Sequence, residues 1–219
     1  MEKALADILD AAAQGHFPPP DGRITVVPQP SDRDAGVIAF TAHSVVFTDE
    51  DPEWVRRTVA AADCDGLAVT MNPRFLGALL DRTGRSMDTI DLLTVAGPLT
   101  GAPPLELREL VDADHPRGAR ARRRRDEVRV WAVDGGVVLL GRGVAGRWET
   151  AIEVDQEHRH RGLGRALAMT ARHLVPDGQP VWAQQAAGNA SSVRAFQAAG
   201  FRPIGAEALL LTSGGATNG

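Results

Sequence analysis

The sequence predicts an α/β protein built on a mixed, mostly antiparallel sheet flanked by helices, and three observations carry that expectation. Strand patterns at Val128 to Val133 and Val137 to Gly143 flank an Asp134-Gly135-Gly136 turn, which joins them as a tight antiparallel hairpin. A third strand pattern, Trp148 to Val154, leads through a cationic, glycine-bearing turn into a helix with Leu163, Leu167 and Thr170 or Ala171 in register. A strand at Val181 to Gln184, a helix from Asn189 to Ala199 closed by Gly200, and a strand at Ala208 to Thr212 complete the second half. Its first element is Leu105 to Val111, read as a strand and followed by an arginine-rich segment.

The first half is also mixed α/β. Leu5, Ile8, Leu9 and Ala12 recur at helical spacing until Pro18, Pro19 and Pro20 stop the helix. Strand-rich pieces follow at Ile24 to Val27 and Val37 to Phe47. Asp51 before Pro52 and Asn72 before Pro73 each read as an N-cap with proline in the first turn, opening helices to about Ala62 and Gly84. Short strands are expected at Leu67 to Thr70 and Leu92 to Val95. Gly97 to Pro104 holds three prolines and two glycines in eight residues and reads as a linker, which divides the chain into 1–104, 105–212 and a flexible tail, 213–219. Asn72 to Gly84 echoes Asn189 to Gly200. The first half is therefore open to being a degenerate copy of the second, against the plainer reading that Asn caps and Gly stops punctuate helices generally.

At 219 residues, 43 % apolar and 24 % charged, the chain has globular composition and buries roughly 70 % of its unfolded surface. A formal charge of −4 supplies no global positive field for nucleic acid or anionic lipid. The lone Cys64 excludes an internal disulfide. No apolar run reaches about 18 residues, so no membrane partner is expected and a cytoplasmic location is. Lys3 is the only lysine, and there is no tyrosine, so no mechanism can draw a phenol from this chain.

The chemistry concentrates between Val154 and Leu167. A strand ends, a turn carries Arg159, His160, Arg161, Gly162, Leu163, Gly164 and Arg165, and a helix begins. Unpaired main-chain N–H groups, the positive end of the helix and close approach at glycine suit a pyrophosphate, with the arginines as forked donors. The bland alternative is a solvated helix cap.

Arg159, Gly162 and Gly164 match the acetyl-CoA loop of the GNAT superfamily of N-acetyltransferases, which the segment from about Leu105 to Thr212 resembles. The second motif of that family, an Asn, a helix with an aromatic and a closing Gly-Phe, is matched by Asn189, Ser192, Phe196, Gly200 and Phe201. The resemblance implies the GNAT fold, with the strand at Glu153 and Val154 splaying from its neighbour at Val181 to Gln184 to admit pantetheine. It implies acetyl-CoA as cosubstrate, held by Ile152, Val154, the loop residues, Asn189, Ser192 and Phe196, with no metal. It also implies a small-molecule or peptide amine acceptor and leaves a homodimer open. An amine would attack the thioester directly. Many members place a tyrosine where this chain has Phe196, so water or Ser192 would have to protonate the leaving thiolate. The weaker reading is an acyl-CoA-binding regulatory protein with little turnover.

Glu149 and Glu153 lie two strand periods apart, on one face, and either is a candidate to accept the amine proton. Glu149 is nearer the family's usual position. The plainer reading has both facing solvent, and Trp131, Trp148 and Trp182 as core.

Other patterns point to less. Gly141, Gly143 and Gly146 spell a dinucleotide fingerprint, but a strand pattern rather than a helix follows. Arg117, Arg120 and Arg122 to Arg125 are flanked by acids without interleaved aromatics, which favours a solvated helix face over nucleic acid. His158 and His160 lack further ligands nearby for a metal.

Overall fold

The computed structural model describes residues 4–67, 69–110 and 116–212. It divides into two compact units, Met1–Leu92 with Ile204–Gly219, and Leu93–Pro203.

In the first unit, helix α1 (Leu5–Ala13) precedes strands β1 (Ile24–Val27), β2 (Ala35–Phe40) and β3 (His43–Phe47). Helices α2 (Pro52–Ala61) and α3 (Pro73–Thr83) follow. Their expected caps form: Asp51 accepts from the Glu53 N–H at 3.0 Å and Asn72 from the Arg74 N–H at 2.9 Å. The sheet order is β1-β3-β2-β10, where β10 (Arg202–Leu210) is the last strand among the described residues. β1 runs parallel to β3, and β2 pairs antiparallel with both β3 and β10. Val26, Val37, Val46, Ala208 and Leu210 supply one face of this sheet to a core shared with Val55, Phe75, Leu76 and Leu79 of the two helices.

The second unit holds α4 (Pro116–Arg122), β6 (Asp126–Val133), β7 (Gly136–Arg142), β8 (Trp148–Val154), α5 (Leu163–Leu174), β9 (Val181–Ala186) and α6 (Ala190–Ala198). Two further strands are β4 (Ile90–Ala96) and the two-residue β5 (Arg108–Glu109). The sheet order is β4-β9-β8-β7-β6-β5. The β6–β7 hairpin turns at Asp134-Gly135 as expected, and β7–β8 is antiparallel in unbroken register from Gly136↔Val154 to Arg142↔Trp148. Val138, Leu140, Trp148, Val181 and Ala183 meet Leu167, Ala168, Ala171 and Phe196 of α5 and α6 in the core.

Three departures from the sequence expectations have physical causes. The compact units divide at Leu92 and Leu93 rather than at 104 and 105, and the last strand belongs to the first unit. Compactness follows the sheet that a strand joins: Thr94 donates to the Ala183 carbonyl at 3.0 Å, inside the second unit, whereas Ala206–Leu210 pair with β2. The strand expected at Leu67 to Thr70 is a single 3₁₀ turn at Val69–Met71, with Ala68 outside the described residues. The segment read as a strand over Leu105 to Val111 shrinks to Arg108–Glu109, with Val111 outside the described residues. The tail at 213–219 also lies outside them. The halves share a run of helix, three strands and helix, but only a 3₁₀ turn lies between α2 and α3 where strand β9 lies between α5 and α6, and the strand pairing differs too. β1 lies beside β3, whereas β6, β7 and β8 pair in sequence order.

Gly36 shows how tightly β2 accepts the last strand. A Cβ there would overlap the carbonyl oxygen of Ala208 and press on the Phe47 ring. Gly36→Ala should lower stability by about 1–3 kcal/mol, read from the chemical unfolding midpoint. It should also accelerate amide exchange across residues 206–210.

Candidate functional site

β8 and β9 are paired in parallel through only two residue pairs, Trp148↔Val181 and Glu149↔Trp182. From Thr150 onward on β8 and Ala183 onward on β9 the ladder is absent, so the two strands open as a V toward their C-terminal ends. Such an opening presents strand edges whose polar groups lack a neighbour in the sheet.

At the far end of β8 the chain turns through a single 3₁₀ turn, Gln156–His158, and enters α5. Gly162, at φ +85°, is the N-cap, and no side chain caps the helix. The main-chain N–H groups of residues 160–165 meet no acceptor among the described residues. Arg159, His160, Arg161 and Arg165 are exposed around them. This is an open nest of donors at a helix start, with cationic side chains at its rim. Arg159 folds back so that its Nε donates to the Val154 carbonyl at 3.2 Å.

Gly164 ties this loop to the V. A Cβ built on it would lie 3.7 Å from Ala195 Cβ, 3.7 Å from Val154 Cγ2 and 3.8 Å from Ile152 Cδ1. The loop, the end of β8 and α6 therefore meet at one place. α6 opens there with Asn189, whose Oδ1 accepts from the Ser192 N–H at 3.1 Å. Leu163 and Ile152 pack against the adjoining core. Phe196 is 2 % exposed and stacks edge-to-face on Phe201 at 4.9 Å, so its ring belongs to the core.

The two strand carboxylates have opposite surroundings. Glu153 is exposed near the mouth of the V. Glu149 is 3 % exposed and lies at its base, so the expectation that strand carboxylates here face solvent fails for it. Its Oε2 accepts from Arg125 Nε at 2.7 Å. Its Oε1 accepts from Arg147 Nε at 2.9 Å and from the Val144 N–H at 3.3 Å. Gly143 makes room for the group, since a Cβ there would overlap the carboxyl itself. Burial pushes the Glu149 carboxyl up, but the charges of Arg125 and Arg147, with hydrogen bonds from Arg147 and Gln184, outweigh it and bring it down to about 2. A carboxylate so held is a weak proton acceptor, which opposes the general-base role expected of it.

Arg125, Arg147 and Gln184 were not singled out by sequence reasoning as site residues. Arg125 belongs to the arginine run that the sequence places on a solvated helix face, yet α4 ends at Arg122 and the Arg125 side chain is 14 % exposed. Arg147 stacks over Trp182, its guanidinium carbon 5.2 Å from the ring centroid. The Gly141 to Gly146 pattern is a β7–β8 connection with a single 3₁₀ turn, not a nucleotide loop. Trp131, Trp148 and Trp182 are buried. His158 packs over Gly135, with its Nε2 3.7 Å from Asp134. Among the described residues no group of three or more His, Cys, Asp or Glu is placed to hold a metal ion, and no helix is long and apolar enough to cross a membrane.

Residues 150–210 match the family model of FR47-like proteins, a GNAT-related family. The match takes in most of β8, the donor-rich loop, α5, β9, α6 and β10. No curated protein matches the chain. The chain is similar to a GNAT-family acetyltransferase from Colwellia psychrerythraea, at 8 % identity and TM-score 0.43 over 81 % of each chain. It is also similar to a GCN5-related N-acetyltransferase from Kribbella flavida, at 17 % identity and TM-score 0.42 over 85 % of this chain and 90 % of that one. A tandem GNAT protein from the clavulanic acid biosynthesis pathway aligns at 16 % identity and TM-score 0.38, covering 67 % of this chain and 60 % of its own.

Glu149 is expected to act as a structural anion. Its folded-state acidity, near 2 against an ordinary value of 4.5, stabilises the fold above the ordinary value and loses that contribution as pH falls toward 2. Glu149→Gln should cost on the order of 3 kcal/mol at pH 7. The gap between wild type and variant in urea unfolding should narrow steadily from about pH 5 downward. A gap independent of pH would show that the carboxylate carries no such linkage.

Proposed function

We propose that the second unit binds acetyl-CoA and transfers its acetyl group to a primary amine. The observation that carries this reading is the run of unacceptored N–H groups at 160–165, joined through Gly164 to the end of β8 where the strands part. A diphosphate fits the first feature, and an extended pantetheine arm fits the open strand edge as an added partner. Arg159, His160, Arg161 and Arg165 surround the diphosphate. Ile152 and Val154 line the arm, while Asn189 and Ser192 flank it from the start of α6.

The reaction needs no covalent enzyme intermediate. The neutral amine attacks the thioester carbonyl carbon, the C–N bond forms and the C–S bond breaks. The amine nitrogen releases one proton, and the departing thiolate takes one up. Strand N–H groups freed by the V are the donors for the developing oxyanion. Glu153, exposed on the same strand face as Glu149, accepts the amine proton directly or through water. Water or the Ser192 hydroxyl supplies the proton to sulfur, a modest demand because a thiol ionises near 8.5 while an alkylammonium does so near 10.4.

A second reading is an acyl-CoA-binding protein with little turnover. The core position of Phe196, the absence of tyrosine and the arginine-locked Glu149 favour it.

Calorimetric titration with acetyl-CoA, followed by an amine screen that monitors free thiol, tests both. Gly162→Val should weaken acetyl-CoA binding at least tenfold, because valine is strained at φ +85° even though open space surrounds the Cβ position. Glu153→Gln should lower turnover about 10²- to 10⁴-fold with acetyl-CoA affinity unchanged. Tight binding without turnover of any amine would leave the binding reading, and no binding would remove both.

A further inference from the structure

Arg125 bridges the base of the V. Its Nε donates to Glu149 of β8 at 2.7 Å and its Nη2 to Gln184 of β9 at 3.2 Å. Those two residues lie at and just beyond the last paired position, Glu149↔Trp182, so the guanidinium spans the strands at the point where they part. Two of its three nitrogens are engaged, and Nη1 has no partner among the described residues. The side chain retains 14 % exposure. Glu149 is also the anion for Arg147, so one carboxylate faces two guanidinium groups. Held rigid by two hydrogen bonds, Arg125 presents a fixed cationic N–H edge with little of the mobility of a surface arginine.

The position of this edge relative to the donor loop decides what it meets. Val154 lies five residue steps along β8 from Glu149, roughly 17 Å of extended strand. With the diphosphate at the loop, the pantetheine arm runs along β8 from Val154 toward Glu149. Atoms beyond the thioester carbon then approach Arg125 rather than the loop cations.

We propose that Arg125 is a specificity-determining residue that recognises a carboxylate carried by one of the two reacting molecules. The group belongs either to the amine acceptor, as in an amino acid, or to the far end of a dicarboxylic acyl chain on CoA. A planar carboxylate is the anion that the remaining guanidinium edge fits, and partial burial strengthens the pair over one in bulk water. This inference rests on the acyl-transfer reading above.

The test uses the full chain and needs no variant at first. One arm compares amino acids with their carboxamides as acceptors, using acetyl-CoA. The other compares succinyl-CoA with butyryl-CoA as donors, using one amine. In at least one arm the carboxylate partner should be preferred about 10- to 100-fold in kcat/KM. Arg125→Gln should erase that ratio and Arg125→Lys should keep part of it. A merely structural role would lower both members of each pair alike and leave their ratio unmoved. Calorimetry with acetyl-CoA separates the two levels of failure. Acetyl-CoA binding with no carboxylate preference in either arm overturns the assignment of Arg125 alone, and loss of acetyl-CoA binding in the unaltered protein overturns the acyl-transfer reading and this inference with it.

Discussion

The short ladder between β8 and β9 governs the rest of the second unit. Two paired positions hold the strands together, and beyond them each strand leaves main-chain groups without a sheet partner. Exposed edges of this kind invite pairing with another chain unless they are occupied or blocked. At the apex, the buried carboxylate of Glu149, compensated by Arg125, Arg147 and the Val144 N–H, marks the last β8 residue paired with β9. A lone buried charge would be costly; with two guanidinium groups and a main-chain donor around it, the same charge becomes an anchor. Because Arg125 also reaches Gln184, the anchor clamps both strands at the point of divergence.

The donor loop depends on the same strand. Asp155 is fixed by its N–H to the Gly135 carbonyl at 2.9 Å, and Arg159 returns to Val154. These two bonds tie the start of the loop to the β6–β7 turn and to the end of β8 without using the N–H groups that follow. The positive φ of His160 and Gly162 then turns the chain into α5. The left-handed conformation at His160 is one that non-glycine residues seldom adopt, and it falls beside the open donors, where sparsely populated backbone conformations concentrate.

How much of this was legible in the sequence varies with the range of the interaction. The caps at Asp51, Asn72 and Asn189, the Asp134-Gly135 turn and the β8-to-α5 transition are local, and each follows from side-chain chemistry within a few residues. The loop from Arg159 to Arg165 was legible for the same reason. The environment of Glu149 was not: strand periodicity put it on a face with Glu153, but the burial of one and exposure of the other depend on Arg125, 24 positions away in sequence. Nothing in a run of arginines distinguishes the one that turns inward. Arg147, by contrast, stands two residues before Glu149, and same-face spacing on a strand was a signal for that pair. The unit boundary was misplaced because proline and glycine content reports where the chain is irregular, whereas unit membership depends on long-range strand pairing.

That membership has a consequence for biogenesis. β10 completes the sheet of the first unit, yet it is synthesised after every element of the second. While a ribosome is still making residues 93–203, β2 has no partner on the side that β10 will occupy, and Gly36 keeps that side free of any side chain that would obstruct docking. The sheet of the first unit is therefore completed after the elements of the second are made, through closure of a loop of more than 150 residues between β2 and β10. Non-local pairing of this kind is slow, and it leaves an open strand edge in the nascent protein until β10 has been made.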